Sequence, residues 1–315
     1  MKRRFIAASA LLLSVGALWA QTAGLPAGEA DTRARLNTSP RHGEWVTYTS
    51  EGGDRVEAWV VFPERNDAAP VAVVVHENRG LNDWARAVAD QFAAEGFIAI
   101  APDFLSGKAP GGAGTRAVDP DEARDLIRTL EPGEITRRLS GAVRYATALP
   151  AATKNYGVVG YCWGGAISFS YATQDPNLDA AVVFYGTSPA TESLRNIQAP
   201  VLGLYGGADN RVNATIPEAE AEMKRLGKRY EIEIYDGAGH AFLRGQDGQN
   251  GANMAATERS WPRVVSFLKQ ELEDRVMMDA DEERDILFTA FAATDDCAYG
   301  CDYEPVPGAT EIAAN

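Results

Sequence analysis

Cysteine, aspartate and histidine occur in this chain in an order, and at places, that would let them attack a carbonyl and pass a proton. Cys162 stands in "VVGYCWGGAIS", residues 158–168, where an apolar run ends at Gly160 and small residues follow. This is the pattern of a nucleophile elbow, G-x-S-x-G, with cysteine in the place of serine. Gly160 and Gly164 permit the close backbone approach that a strand-to-helix elbow needs. A helix beginning just after Cys162 would turn its free N–H groups and its dipole toward the sulfur, which favours thiolate. A free thiol, with a pKa of about 8.5, is only a few per cent ionised at pH 7, so a base is required. The blander reading of Cys162 is a small residue packed into a tight turn.

Three histidines compete for the role of base. His42 precedes the first strand, and His76 lies inside "VVHEN", where it reads as a structural histidine. His240, in "DGAGHAF", falls in a loop after a late strand, where parallel sheets place functional groups. An acid to orient it is expected between nucleophile and histidine, and Asp209 in "GLYGGADNR" ends the intervening strand. The order Cys162, Asp209, His240 is that of the α/β hydrolases.

The elements that must position these residues alternate. "EWVTYTS" and "RVEAWVVFP" flank "EGGD" as a hairpin. "VAVVVHE", "FIAIAPD", "YGVVGY", "LDAAVVFYG", "VLGLYGGAD" and "YEIEIYDGAGH" read as strands. The first of these is a continuous apolar run, as expected of a strand buried on both faces. Helical spacing separates them: residues 82–96 ending at Gly96, residues 119–130 with Asp119 as cap and Pro120 at the first position, and residues 134–149, 163–172 and 216–227. A last helix over 255–273 is expected to bend or begin at Pro262. Residues 104–118, rich in Gly, Ala and Pro, read as a loop. Strands alternating with helices predict a mostly parallel central sheet with helices on both faces, one α/β domain over 37–273.

Together "HENRG", "GYCWGG", "GGADN" and "GAGHAF" resemble the dienelactone hydrolase family of α/β-hydrolases, across essentially the whole of 37–273. The resemblance implies the α/β-hydrolase fold without a separate lid domain, with Cys162 as nucleophile, His240 as base and Asp209 as its orienting acid. It implies Glu77 as a glutamate beside the thiol that helps to activate it when substrate binds, and the backbone N–H groups of Asn78 and Trp163 as the oxyanion hole. Arg244 matches an arginine that binds the substrate carboxylate. A second such arginine should follow "APDF", but Gly107 stands near that position with Lys108 beside it, which puts dienelactone itself in question. Arg79 in "HENRG" adds a cation near the mouth.

The remaining composition bounds the setting. The chain has 315 residues, 45% of them hydrophobic, enough for a sizeable core. A net charge of -14 would repel nucleic acid. Lys2, Arg3 and Arg4 precede an uncharged apolar stretch, so residues 1–23 read as a signal peptide cut after Ala20 or Ala23, with an uncleaved anchor as the alternative. The protein is therefore expected to be exported, periplasmic or secreted, without stable membrane insertion after cleavage; Sec and twin-arginine routes both stay open. Residues 24–36, rich in Gly, Pro and Ala, read as a linker. Residues 274–315 are strongly acidic and read as a solvated tail, or as a helix docked on the domain. Within that tail Cys297 and Cys301 suit a local disulfide better than a lone metal site.

The sequence thus predicts an exported hydrolase of a small ester or lactone, acting through a thioester, with no cofactor and no metal. Its oligomeric state is open. The alternatives are a catalytically inactive hydrolase-fold protein that binds a ligand or partner, and a redox thiol, for which no resolving cysteine lies near Cys162 in sequence.

Overall fold

Eight strands form where the apolar runs predict them. In the computed structural model, which describes residues 24–273, they are β1 (Gly43–Thr49), β2 (Arg55–Val61), β3 (Ala69–Val75), β4 (Ile98–Pro102), β5 (Ala152–Tyr161), β6 (Ala180–Phe184), β7 (Val201–Gly206) and β8 (Tyr230–Tyr235). They make one sheet in the order β1-β2-β4-β3-β5-β6-β7-β8. The β1–β2 hairpin joins antiparallel at β4, and the remaining pairs are parallel.

The helices are α1 (Thr32–Thr38), α2 (Asp83–Ala94), α3 (Pro120–Ile127), α4 (Pro132–Thr147), α5 (Trp163–Ala172), the single turn α6 (Asn210–Asn213), α7 (Ile216–Arg225) and α8 (Ala252–Leu272). All seven residues of β3 are buried. The two-residue pleat sends Val71, Val73 and Val75 into a core shared with α3, α4, α5 and α7, and Ala72 and Val74 into a second core shared with α2 and α8. Each valine so buried contributes about 1.5–3 kcal/mol. A strand with two covered faces must be apolar throughout, and "VAVVV" is.

Local signals set several ends. Asp119 caps α3 by accepting from the N–H groups of Asp121 and Glu122 at 2.9 Å, with Pro120 at the first position. Gly96 follows α2 with φ of 103°, a conformation open to glycine.

Two expectations give way. The segment read as a linker, 24–36, is structured: a turn of 3-10 helix at Glu29–Asp31 leads into α1. Distant partners hold it, since Trp84 Nε1 donates to Ala27 O at 3.2 Å and Gln246 Nε2 to Pro26 O at 2.9 Å. The last helix begins at Ala252, ten residues before Pro262, and continues through it. Buried Trp261, Val264, Phe267 and Leu268 outweigh the backbone hydrogen bond that proline cannot donate. The signal-peptide, acidic-tail and Cys297–Cys301 expectations fall on residues outside those described.

Candidate active site

The C-terminal edge of the parallel strands gathers the predicted residues. Cys162 links β5 to α5 with φ of 56° and ψ of −112°, a conformation that β-carbon-bearing residues seldom adopt. Strain of this kind belongs to a nucleophile elbow. The turn is possible because its neighbours lack side chains: a Cβ on Gly160 would lie 1.8 Å from Gly164 O, and one on Gly164 would lie 2.3 Å from Val75 O.

Two further loops converge on the sulfur. Asp209 follows β7 and His240 follows β8, and the loops are stitched together by the Ala208 N–H donating to Ala238 O at 2.9 Å. Their glycines let the backbones touch, since a Cβ on Gly206 would lie 2.5 Å from Gly239 O. His240 Nδ1–H donates to Asp209 Oδ2 at 2.5 Å, and His240 Nε2 lies 3.0 Å from Cys162 Sγ. The carboxylate, which only accepts, fixes the proton on Nδ1 and leaves the Nε2 lone pair for the thiol proton.

The backbone N–H groups of Asn78 and Trp163 reach the sulfur and favour its ionised form. Two N–H donors converging beside a nucleophile can also hold an oxyanion. Against the expectation that the helix dipole makes a thiolate, the Cys162 thiol is pushed up to about 11. Burial is the main cause and the Glu77 charge the second; Trp163 N–H, Arg211 and Asn78 N–H only partly oppose them. Cys162 therefore rests as a neutral, free thiol.

Glu77 is buried at the end of the β3 strand segment. Its Oε2 accepts from Arg244 Nε at 2.7 Å and its Oε1 from the Tyr185 hydroxyl at 3.3 Å. Burial raises its pKa, while Arg244 works in the opposite direction. Arg244, expected to meet a substrate carboxylate, is thus already engaged. Its Nη1 is also paired with Glu29, whose other oxygen accepts from Arg79 Nη1 at 2.8 Å. Lys108, next to the missing second arginine, turns away and pairs with Glu134 at 2.8 Å. Gly107 beside it has φ of 77°.

Cations nevertheless line the site. A cavity of about 360 Å³ opens on Cys162, walled by Trp163, Ala166 and Tyr185 and by Arg124, Arg128 and Arg211. Arg124 and Arg128 lean on Asp121 and Asp125 one turn away along α3. Arg211 has no carboxylate partner among the described residues. None of the three has a local motif to mark it. Tyr185 was equally hidden: it ends β6 with φ of 39°, and its ring packs edge-on to His240 at 5.2 Å between centroids. The available clue was its place at a strand's C-terminal end next to the elbow strand.

His76 has the structural role expected of it. Its Nδ1–H donates to Glu77 O at 2.7 Å, the Phe104 N–H donates to its Nε2 at 3.3 Å, and its ring stacks on Trp163 at 5.5 Å. Burial lowers its pKa, so it stays neutral while fixing the backbone that carries Glu77 and Asn78.

The model of the dienelactone hydrolase family matches residues 56–272. A protein of Escherichia coli (strain K12) named "Putative carboxymethylenebutenolidase" is 31% identical over 241 residues, 69% of this chain and 83% of its own. One of the same name from Saccharolobus solfataricus is 30% identical over 256 residues, 71% of this chain and 97% of its own. Among solved structures, a dienelactone hydrolase-like promiscuous phosphotriesterase from metagenomic libraries superposes with a TM-score of 0.64 at 26% identity, over 74% of this chain and 99% of that one. An acylaminoacyl peptidase shares the fold, with a TM-score of 0.58 at 17% identity, over 74% of this chain and 42% of that one.

Proposed function

The chain belongs to the dienelactone hydrolase family, and from that membership we propose that it hydrolyses a small ester or lactone through a thioester on Cys162. One observation carries the reading. At a strained elbow, Sγ lies 3.0 Å from His240 Nε2 while Nδ1 of the same ring is held by Asp209 at 2.5 Å.

In this mechanism His240 Nε2 takes the thiol proton as Sγ attacks the acyl carbon. The carbonyl oxygen gains the negative charge and is held by the N–H groups of Asn78 and Trp163. The tetrahedral intermediate collapses, the C–O bond to the leaving alkoxide breaks, and the imidazolium returns its proton to that oxygen. Water, deprotonated by His240, then attacks the thioester; the C–S bond breaks, the thiol regains its proton and the acid leaves. Burial, with the Glu77 charge beside it, keeps the thiol neutral at rest, so that it ionises only when a carbonyl and the base are both in place. The substrate's own charge, where it has one, meets Arg211 in the cavity rather than Arg244.

A second reading, a hydrolase-fold protein that binds without turnover, is favoured by one fact: a thiol pushed up to about 11 is a weak resting nucleophile. Hydrolysis of p-nitrophenyl acetate and a dienelactone by the wild-type protein and Cys162→Ala separates the two. Activity on either substrate that disappears in the variant supports the enzyme. Activity unchanged in the variant contradicts the mechanism, and a folded protein inert to both gives the site to binding alone. The proposal includes export, resting on the basic and apolar pattern of residues 1–23; N-terminal sequencing of the mature protein checks it.

A further inference from the structure

The cavity at Cys162 has a neighbour along α5. Ala166 and Thr187 line it and also line a second cavity of about 490 Å³, which has no charged residue in its lining. That second space runs between α4 and α5, lined by buried Ile135 and Leu139, the half-buried Ile167 and Pro189. The geometry of α5 sets the two cavities side by side. Trp163, Ala166, Ile167 and Ser170 recur at helical spacing on one face, which starts beside the nucleophile and leads directly into the groove.

At the far end a polar clasp crosses between the two helices. Thr136 Oγ1 donates to Gln174 Oε1 at 2.7 Å, and Gln174 Nε2 donates to Ser170 Oγ at 3.1 Å. From Ala166 to Gln174 the groove follows about 12 Å of helix. It is apolar along its floor, polar at its end, and adjoins the catalytic cavity at Ala166 and Thr187.

We propose that this groove is a substrate subsite, taking the apolar arm, alkyl or aryl, of an ester whose carbonyl sits at Cys162. This rests on the hydrolase reading and extends it, since the preferred substrate then carries a medium-length hydrophobic chain instead of being a compact lactone alone. Burying such an arm stabilises binding by about 0.8 kcal/mol for each methylene, roughly a fourfold gain per carbon, until the clasp is reached.

The test uses the full chain and two groove-filling variants from opposite walls, Ser170→Trp on α5 and Thr136→Trp on α4. The first readout is kcat/KM for p-nitrophenyl acetate, butyrate and octanoate. The second is the rate at which N-ethylmaleimide and N-octylmaleimide label Cys162, which needs the thiol and the groove but no turnover. The proposal predicts an octyl-to-ethyl labelling ratio of at least ten, a matching rise in kcat/KM with chain length, and a tenfold or greater fall of both ratios in each variant that retains the wild-type circular dichroism spectrum. A labelling preference without any ester turnover would keep the subsite and reject the hydrolase reading. Ester turnover indifferent to chain length, with a labelling ratio near one, would keep the hydrolase and overturn the subsite. A ratio near one, together with a dimer that Ser170→Trp dissociates, would also overturn it and assign the groove to a second copy of the chain.

Discussion

Arg244 Nε donates to Glu77 Oε2 at 2.7 Å, and this pair is the link between the protein's N-terminal segment and its thiol. Arg244 is held from behind by Glu29, and Glu77 raises the pKa of Cys162 from in front. An arginine whose sequence position suggests a substrate clamp is instead bound up inside the protein. The charge that adds to burial in raising the thiol's pKa is fixed by residues from three distant parts of the chain.

Glu77→Gln should separate the reactivity of the thiol from catalysis. Removing a negative charge beside a thiol favours its ionised form, so the Cys162 pKa falls from about 11. In wild type the rate of iodoacetamide labelling should keep rising with pH up to about 11, with no plateau near 8.5. In the variant, labelling at pH 8 should be faster, on the order of tenfold. Ester hydrolysis should fall, because the pairing that orders the site is lost. Slower labelling in the variant would contradict the assigned role of the Glu77 charge.

Asp209→Asn should leave the fold intact and reduce kcat by about 10²–10⁴-fold, because an amide no longer holds the His240 proton on Nδ1. Steady-state kinetics on p-nitrophenyl acetate, with KM little changed, would show that the loss lies in the chemical step. A variant with wild-type kcat would remove Asp209 from the mechanism.

Arg211, without a carboxylate partner among the described residues, gives the cavity a cation near the sulfur. The rate of labelling by iodoacetate relative to iodoacetamide should therefore be high in wild type. It should fall by about fivefold in Arg211→Gln and decline with added salt. A ratio that does not respond to the substitution would show that Arg124 and Arg128 carry the field, or that no anion is drawn in.

The two ends of the Arg244 pairing should differ in cost. Glu29 is half exposed, so Glu29→Gln should cost no more than about 1 kcal/mol. Arg244→Met strands the buried Glu77 without its cation and should cost about 3–5 kcal/mol at pH 7. The sign with pH follows from that carboxyl. Its folded pKa is already raised by burial and rises further without Arg244, so ionised Glu77 destabilises the variant above the unfolded value and the deficit shrinks as pH falls. Urea midpoints at pH 5 and pH 7 check both the size and the direction.

The sequence reveals what local chemistry encodes. The elbow at Cys162, the Asp119–Pro120 start of α3 and the apolar β3 all depend on neighbours within a few residues, and the structure has each of them in place. Contacts between distant parts of the chain left no such mark. The Gly-Pro-Ala composition of 24–36 suggested a linker, yet Trp84 and Gln246 tie it down from about 60 and 220 residues away in sequence. Lys108 found Glu134 on α4, and the cavity took its cations from α3 and from the turn after β7. The thiol shows the same limit: the helix start behind Cys162 is visible in sequence, but the burial and the Glu77 charge that outweigh it exist only once the chain is folded.

The central claim, a thioester on Cys162, is tested most directly by rapid acid quenching of the protein after mixing with p-nitrophenyl acetate, followed by peptide mass mapping. The account predicts one acetyl group on the peptide bearing Cys162, formed in a burst with p-nitrophenolate, released by hydroxylamine and absent from Cys162→Ala. Turnover that continues with Cys162 unacylated at every quench time, or an acetyl group carried by another residue, would contradict it.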